Sequence, residues 1–247
     1  MSFKDHFSHD PSDYRRHRPG YPVELFAWLA ELAPGRDAAW DCATGTGQAA
    51  ASLADLFGRV WASDASLAQA AQGWPDGGVR FLVAGAEAAP FASASVDLVT
   101  VAQAYHWFDH ESFLVEARRV LRPGGVLAVW TYRLLRLGGE IDHRLETFYR
   151  DEVGSFWPPE RRWVDSGYAE LPFLPTEIEP PPFAMEASWR LSDLVGYLGT
   201  WSAVAGARQK GVDPLPALVR DLEAMWGDRE ERRVRWPLVL RVARANG

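Results

Sequence analysis

Trp40-Asp41-Cys42-Ala43-Thr44-Gly45-Thr46-Gly47-Gln48 runs a short apolar segment into an acid and then into a loop of glycines and small residues. The loop opens directly onto residues 48–57, a strong helix-forming run closed by Gly58. A strand, a glycine turn and a helix N-terminus in succession is how α/β proteins bring backbone against a nucleotide-like ligand. Gly45 and Gly47 can take a positive φ, and without a Cβ they let a ligand approach the main chain. On this stretch alone, a tight turn with no ligand is the competing reading.

The flanking chain repeats the pattern. Strands are expected at residues 38–43, 59–64, 79–84, 96–103 and 125–132, each apolar on both faces as in a parallel sheet covered by helices. Between the last two, residues 110–121 place Phe113, Leu114, Ala117, Val120 and Leu121 on one helical face, ahead of Pro123-Gly124-Gly125. This alternation predicts a doubly wound α/β sheet with ligands at the carboxyl ends of the strands. Before it, a helix is expected over residues 23–32, with Pro22 at its start and Pro34-Gly35 past its end. After Arg133 the pattern weakens. Helices are expected over 139–151, 191–206 and 214–226, and Pro180-Pro181-Pro182 interrupts a strand candidate over 176–189. A last strand is expected over 238–245, with Pro237 at its entry.

The bulk properties narrow the function classes. A length of 247 residues, 47% hydrophobic and 24% charged, suits a single soluble domain. A net charge of −7 opposes a nucleic-acid partner, whose phosphates demand a basic face. One cysteine rules out an intrachain disulfide and fits a reducing compartment. Met1-Ser2-Phe3-Lys4-Asp5-His6 lacks the apolar run of a secretory signal, and no apolar stretch approaches bilayer length. The expectation is a cytoplasmic protein with no membrane partner and no metal cluster.

Three further positions fall where a nucleotide-like ligand needs them. Asp64 ends the second strand, where a carboxylate can accept both ribose hydroxyls; an N-cap for the helix from Ser66 is the competing reading. Small residues around Ala86 leave room for a flat base, and Glu87 offers an acceptor to an exocyclic amine or is simply a surface carboxylate. His106, in Gln103-Ala104-Tyr105-His106-Trp107-Phe108-Asp109, is a base, a hydrogen-bond donor, or a structural imidazole held by a backbone carbonyl. Asp109 reads as the N-cap of the next helix.

Asp41 to Gly47 resembles the first motif of class I S-adenosylmethionine-dependent methyltransferases. Asp64 matches that family's ribose-binding acid, and Gly85-Ala86-Glu87-Ala88-Ala89-Pro90-Phe91 resembles its adenine-side motif. Val96-Asp97-Leu98-Val99 and Arg122-Pro123-Gly124-Gly125 resemble the entry to strand four and the turn before strand five. Tyr14 to Pro22 and the segment from Gln103 to Phe108 are similar to small-molecule methyltransferases of the ubiquinone-biosynthesis-like and trans-aconitate-methyltransferase-like groups, and Tyr197-Leu198-Gly199-Thr200-Trp201-Ser202 to the latter. The chain departs from the pattern twice. Ala43 replaces the commonest first glycine, which predicts strand-like backbone with φ < 0 there, and Gly85 stands where many relatives carry an Asp.

The resemblance implies a Rossmann-like, seven-stranded, mostly parallel sheet with helices on both faces, an antiparallel last strand and a helical cap. It divides one domain into a cofactor-covering segment at 1–35, a cofactor-binding core at 36–133, and a substrate cap with the C-terminal strands at 134–247. S-adenosylmethionine is the implied cofactor. Ala43, Gly45 and Gly47 would pack on its methionine and ribose, with Asp41 steering the loop or the ammonium. Asp64 would take the ribose hydroxyls, Ala65 would lie against adenine, and Ala86 or Glu87 would read the base. The Gln103 carbonyl would face the methionine end, and Tyr14 or Arg18 would fold over the cofactor. His106 is the catalytic candidate for methyl transfer to oxygen of a small organic molecule, as base toward a hydroxyl or as orienting group toward a carboxylate, with Arg133 or Arg136 as counter-charge. Trp157, Trp163, Trp189 and Trp201 are candidates for the acceptor pocket or for core packing. Two rivals stand beside this. Gly45-Thr46-Gly47-Gln48-Ala49-Ala50 also satisfies a dinucleotide fingerprint, as in a nicotinamide-dependent oxidoreductase. A non-catalytic S-adenosylmethionine-binding module would keep the same fold.

Overall fold

The computed structural model of the chain describes residues 19–70 and 78–245. Tyr14 and Arg18 therefore lie outside the described residues.

The described residues form eight strands: β1 (Ala39–Cys42), β2 (Val60–Asp64), β3 (Val79–Val83), β4 (Val96–Ala102), β5 (Leu121–Tyr132), β6 (Glu177–Ile178), β7 (Ala184–Trp189) and β8 (Arg232–Arg244). Seven lie on one path in the order β3-β2-β1-β4-β5-β8-β6, while β7 pairs with β8 off that path. The pairs from β3 to β5 are parallel, and β8 runs antiparallel to β5 and to β6. Strand order reverses between β1 and β4, so the loops leaving their carboxyl ends diverge and open the crevice in which such folds hold ligands.

Alternation along the strands explains the layering. Ala39, Leu98, Val126, Ala128 and Trp130 face one core cluster, whereas Trp40, Val99, Val101, Leu127 and Val129 face the other. Helices α1 (Val23–Leu32) and α2 (Gln48–Ala54) cover the first face. A short helix, α3 (Leu67–Ala70), follows β2, and α4 (His110–Val120) covers the second face through Phe113, Leu114, Ala117 and Val120. The remaining helices, α5 (Glu140–Thr147), α6 (Arg161–Asp165), α7 (Leu191–Gly199), α8 (Ser202–Gln209) and α9 (Leu215–Trp226), come from the segment after β5. No helix of the described residues is long and apolar enough to cross a membrane.

Several expected boundaries move, each for a local reason. Helix α4 passes directly into β5 at Leu121, and the Arg122–Gly125 turn is accommodated as a register shift between the Val96 and Leu98 pairings. The last strand starts at Arg232 and passes through Pro237. The missing N–H is tolerated because pairing to β7 ends at Pro237 and pairing to β5 begins at Leu238. The helix expected over 191–206 breaks at Trp201, whose extended backbone (φ −69°, ψ 134°) separates α7 from α8. The strand candidate over 176–189 becomes β6 and β7, divided at the three prolines.

Candidate active site

The loop after β1 is built around a buried acid. Asp41 is fully buried, and its oxygens accept from Thr44 Oγ1 at 2.5 Å and Thr100 Oγ1 at 2.7 Å. Burial, partly offset by those hydroxyls, pushes its carboxyl up to about 6. Asp41 thus pins the loop to β4 as well as to its own turn. Thr44 N also donates to Ser63 O at 2.9 Å, extending the β1–β2 pairing one step past the strand. Meeting both bonds forces the chain to turn at Ala43, whose φ is +53°. The expected strand-like φ < 0 at Ala43 is therefore wrong: a left-handed residue with a Cβ occupies the position, at a strain of about 1–2 kcal/mol. Gly45 and Gly47 are left-handed as well, at φ +56° and +86°, and a Cβ added to Gly45 would meet nothing within 4 Å. The loop surface is open at that point.

Asp64, at the end of β2, joins this loop to the next. One oxygen accepts from Gly45 N at 2.9 Å and the other from Ser66 N at 2.9 Å. The second of these bonds is the turn contact expected of a helix-capping acid. Ala65 beside it is exposed. Past β3, Ala86 is buried and Glu87 exposed, with Glu87 Oε1 accepting from Asp109 N at 3.1 Å. Glu116 Oε1 accepts from Ala89 N at 2.7 Å, and Arg119, paired with Glu116, donates to Phe91 O and Ala89 O. That pair locks the segment bearing Ala86 and Glu87 onto α4. Asp109 Oδ1 accepts from Ser112 N at 3.3 Å, the N-cap contact read from the sequence.

At the end of β4 the chain takes another left-handed turn at Gln103, φ +60°. Its Oε1 accepts from Thr131 Oγ1 at 3.1 Å, while its Nε2 is buried with no partner among the described residues. A buried amide donor left open is a costly feature unless something fills it. A single helical turn, Tyr105–Trp107, then presents His106. His106 Nδ1 lies 3.0 Å from the hydroxyl of Tyr168, whose ring stacks on it at 29°. Burial, together with the positive charge of Arg161 and the nearby His110, depresses the imidazole to about 3.

Sequence reasoning missed Tyr168 and Arg161. Tyr168 follows Gly167 in the turn after α6, and nothing periodic marks it. Arg161 opens α6, with its guanidinium 5.3 Å from the Tyr149 ring centre and 4.6 Å from that of Trp157. Its Nε donates to Tyr149 Oη at 2.6 Å, and Asp165 Oδ1 is 3.5 Å away. Among the described residues, no hydrogen bond engages its two terminal nitrogens. Trp201 packs against both Tyr149 and Trp157. Of the four tryptophans singled out, Trp157 stacks on this cation and Trp201 packs on Trp157 and Tyr149. Trp189 packs on Tyr197 and Trp236, and Trp163 on the second core cluster. Arg136 is exposed, with its guanidinium 4.0 Å from the Asp142 carboxylate, and Arg133 is exposed. A cavity of about 20 Å³ lies between Tyr21, Gln48, Tyr132, Met185, Tyr197 and Trp236. Among the described residues no group of three His, Cys, Asp or Glu side chains could hold a metal.

Comparison with known proteins agrees with this geometry. Residues 40–129 match a family described as "Methyltransferase domain". A Dictyostelium discoideum protein named as a methyltransferase is 32% identical over 225 residues, covering 89% of this chain and 86% of that one. An uncharacterised methyltransferase of Mycobacterium tuberculosis is 38% identical over 156 residues, covering 57% of this chain and 60% of its own length. A solved structure from Anaeromyxobacter dehalogenans, described as a type II methyltransferase, shares 45% identity and a TM-score of 0.88, covering 93% of this chain and 98% of that one. With these relatives, and with the acid–glycine loop, the strand-two acid and the 3-2-1-4-5 run of parallel strands, the chain belongs to the class I S-adenosylmethionine-dependent methyltransferases.

Proposed function

We propose that this enzyme transfers the methyl group of S-adenosylmethionine to a carboxylate oxygen of a small organic acid. The observation that carries the choice of carboxylate over hydroxyl is the state of His106. An imidazole depressed to about 3 is neutral at working pH and a feeble base. A hydroxyl acceptor needs its proton removed, whereas a carboxylate is already ionised.

The residues around the crevice fit the cofactor. Gly45 leaves the loop open, the Asp64 carboxylate stands beside it at the end of β2, and the buried Gln103 Nε2, without a partner among the described residues, offers a donor to a ligand oxygen. In this reading Ala43, Gly45 and Gly47 form the floor, and Asp41 holds that floor in shape without touching the cofactor. Ala65, Ala86 and Glu87 border the base, and residues 1–35 and 134–247 close the site over the 36–133 core. When bound, S-adenosylmethionine supplies a methyl group already activated on a sulfonium. The protein's task is then alignment, which can lower a barrier by about 7–11 kcal/mol.

Arg161, rather than Arg133 or Arg136, is the counter-charge in this reading. It is a partly buried cation whose terminal nitrogens have no hydrogen bond among the described residues, and its field reaches His106. The test is conversion of S-adenosylmethionine to S-adenosylhomocysteine in the presence of mono-, di- and tricarboxylic acids and of matched alcohols and amides. Turnover confined to the acids, with methyl esters as products, is expected. Turnover confined to the alcohols would replace the carboxylate reading.

A further inference from the structure

We infer that Tyr168 is a positioning residue that holds His106 in its Nε2–H tautomer, so that the ring meets the acceptor as a hydrogen-bond donor. Tyr168 is fully buried, and burial pushes its phenol far above the ordinary range, so it carries its single proton at any working pH. A buried hydroxyl proton needs an acceptor. Among the described residues two hydrogen-bond partners lie near it: Nδ1 of His106 at 3.0 Å, and the hydroxyl of Thr131 on the β5 side. Thr131 donates its own proton to Gln103 Oε1, an atom that can only accept. Of the two candidates, a neutral imidazole nitrogen is much the more basic, and at 3.0 Å it lies at ordinary hydrogen-bond distance. The Tyr168 proton therefore goes to Nδ1, and the imidazole proton must sit on Nε2. Arg161 and His110, the other charged or titratable groups acting on the ring, disfavour its protonation.

The backbone around Tyr168 is built to hold it there. Gly167 and Tyr168 are consecutive left-handed residues, each at φ +65°. A Cβ on Gly167 would come within 2.6 Å of Val239 Cγ1, so only glycine allows the turn to press against β8. Arg241 Nη1 donates to the carbonyls of Tyr168 at 2.9 Å and Leu171 at 2.7 Å, while its Nη2 pairs with Glu177 at 2.6 Å. A strained non-glycine residue clamped in this way places its side chain with little freedom.

The inference rests on the proposed function only for what the Nε2–H faces; the tautomer itself is read without turnover. The experiment is NMR of the full chain with ¹⁵N,¹³C-labelled histidine at pH 7, with and without S-adenosylhomocysteine, His106 being assigned by its loss in His106→Asn. The wild type should show the Nε2–H pattern at His106, and Tyr168→Phe should move it toward a mixture of tautomers. In Tyr168→Phe, kcat should fall about tenfold while affinity for S-adenosylhomocysteine holds. An Nδ1–H pattern in the wild type would overturn the inference, and that result does not depend on Tyr168→Phe folding. Identical patterns in wild type and Tyr168→Phe would also overturn it. Failure of every acid to accept a methyl group, with the Nε2–H pattern present, would instead count against the carboxylate reading alone.

Discussion

Replacing Gly167 by Ala should cost this protein more than replacing another left-handed glycine, and the excess can be worked out. Gly211, just past the end of α8, has φ +82° and nothing within 4 Å of an added Cβ. Gly211→Ala should therefore show only the backbone term, about 1–2 kcal/mol. Gly167→Ala carries the same term at φ +65° and adds a Cβ at 2.6 Å from Val239 Cγ1. Overpacking of that kind costs about 1–3 kcal/mol more. For a chain of this size each kcal/mol lowers Tm by about 2–4 °C. Gly211→Ala should then lower Tm by a few degrees and Gly167→Ala by roughly two to three times as much, both measurable by calorimetry. Val239→Ala removes the obstructing methyl, so the Gly167→Ala/Val239→Ala double variant should be less destabilised than the sum of the singles by about 1–3 kcal/mol. Because Gly167 aims Tyr168, the single variant should also disturb the His106 NMR signature. Equal losses in the two glycine variants, together with strict additivity with Val239→Ala, would refute the packing argument.

Three further outcomes follow from the charges in the site. The Asp41 carboxyl is raised from 3.8 to about 6 in the fold, so its ionised form is the disfavoured one and wild-type stability falls as pH rises through that window. Urea unfolding should show the difference between Asp41→Asn and wild type shifting in favour of Asn by about 3 kcal/mol between pH 3.5 and 7, whereas a pH-independent difference contradicts the shift. His106, held near 3, should leave kcat/KM without an inflection near 6.5 between pH 5 and 8; an inflection there that vanishes in His106→Asn would mean the imidazole titrates in catalysis. Arg161→Gln should lower kcat/KM toward carboxylic acids about 10–100-fold with Arg161→Lys in between, and an unchanged value in both removes Arg161 from acceptor binding.

The sequence was most informative where one constraint dominates. Strands buried on both faces must be apolar throughout, so β1, β2 and β4 stood out within a residue or two, whereas β3, expected to be covered on both faces, is an edge strand with Arg80 and Val83 exposed; the glycine loop announced the crevice between β1 and β4. It was least informative where two distant contacts decide a local conformation. Ala43 reads as strand because alanine avoids positive φ, yet Thr44 must reach both Ser63 O and Asp41 Oδ2, and those bonds outweigh the strain. Pro237 reads as a strand entry because nothing in the local pattern shows that β8 changes partners there. Arg161 and Tyr168 had no local signal at all. An arginine opening a short helix and a tyrosine in a turn become notable only once the segment after β5 folds back to His106. The only legible trace was Gly167 itself, a glycine ahead of an aromatic residue, which the fold requires for its close approach to Val239.

The most direct measurement is product analysis with S-adenosylmethionine labelled by ¹³C in its methyl group. The purified chain is incubated with the carboxylic acids, alcohols and amides, and each product is examined by ¹³C NMR and mass spectrometry. The account predicts the label in a methyl ester, released with one equivalent of S-adenosylhomocysteine. Label on an ether, nitrogen or carbon atom would contradict it.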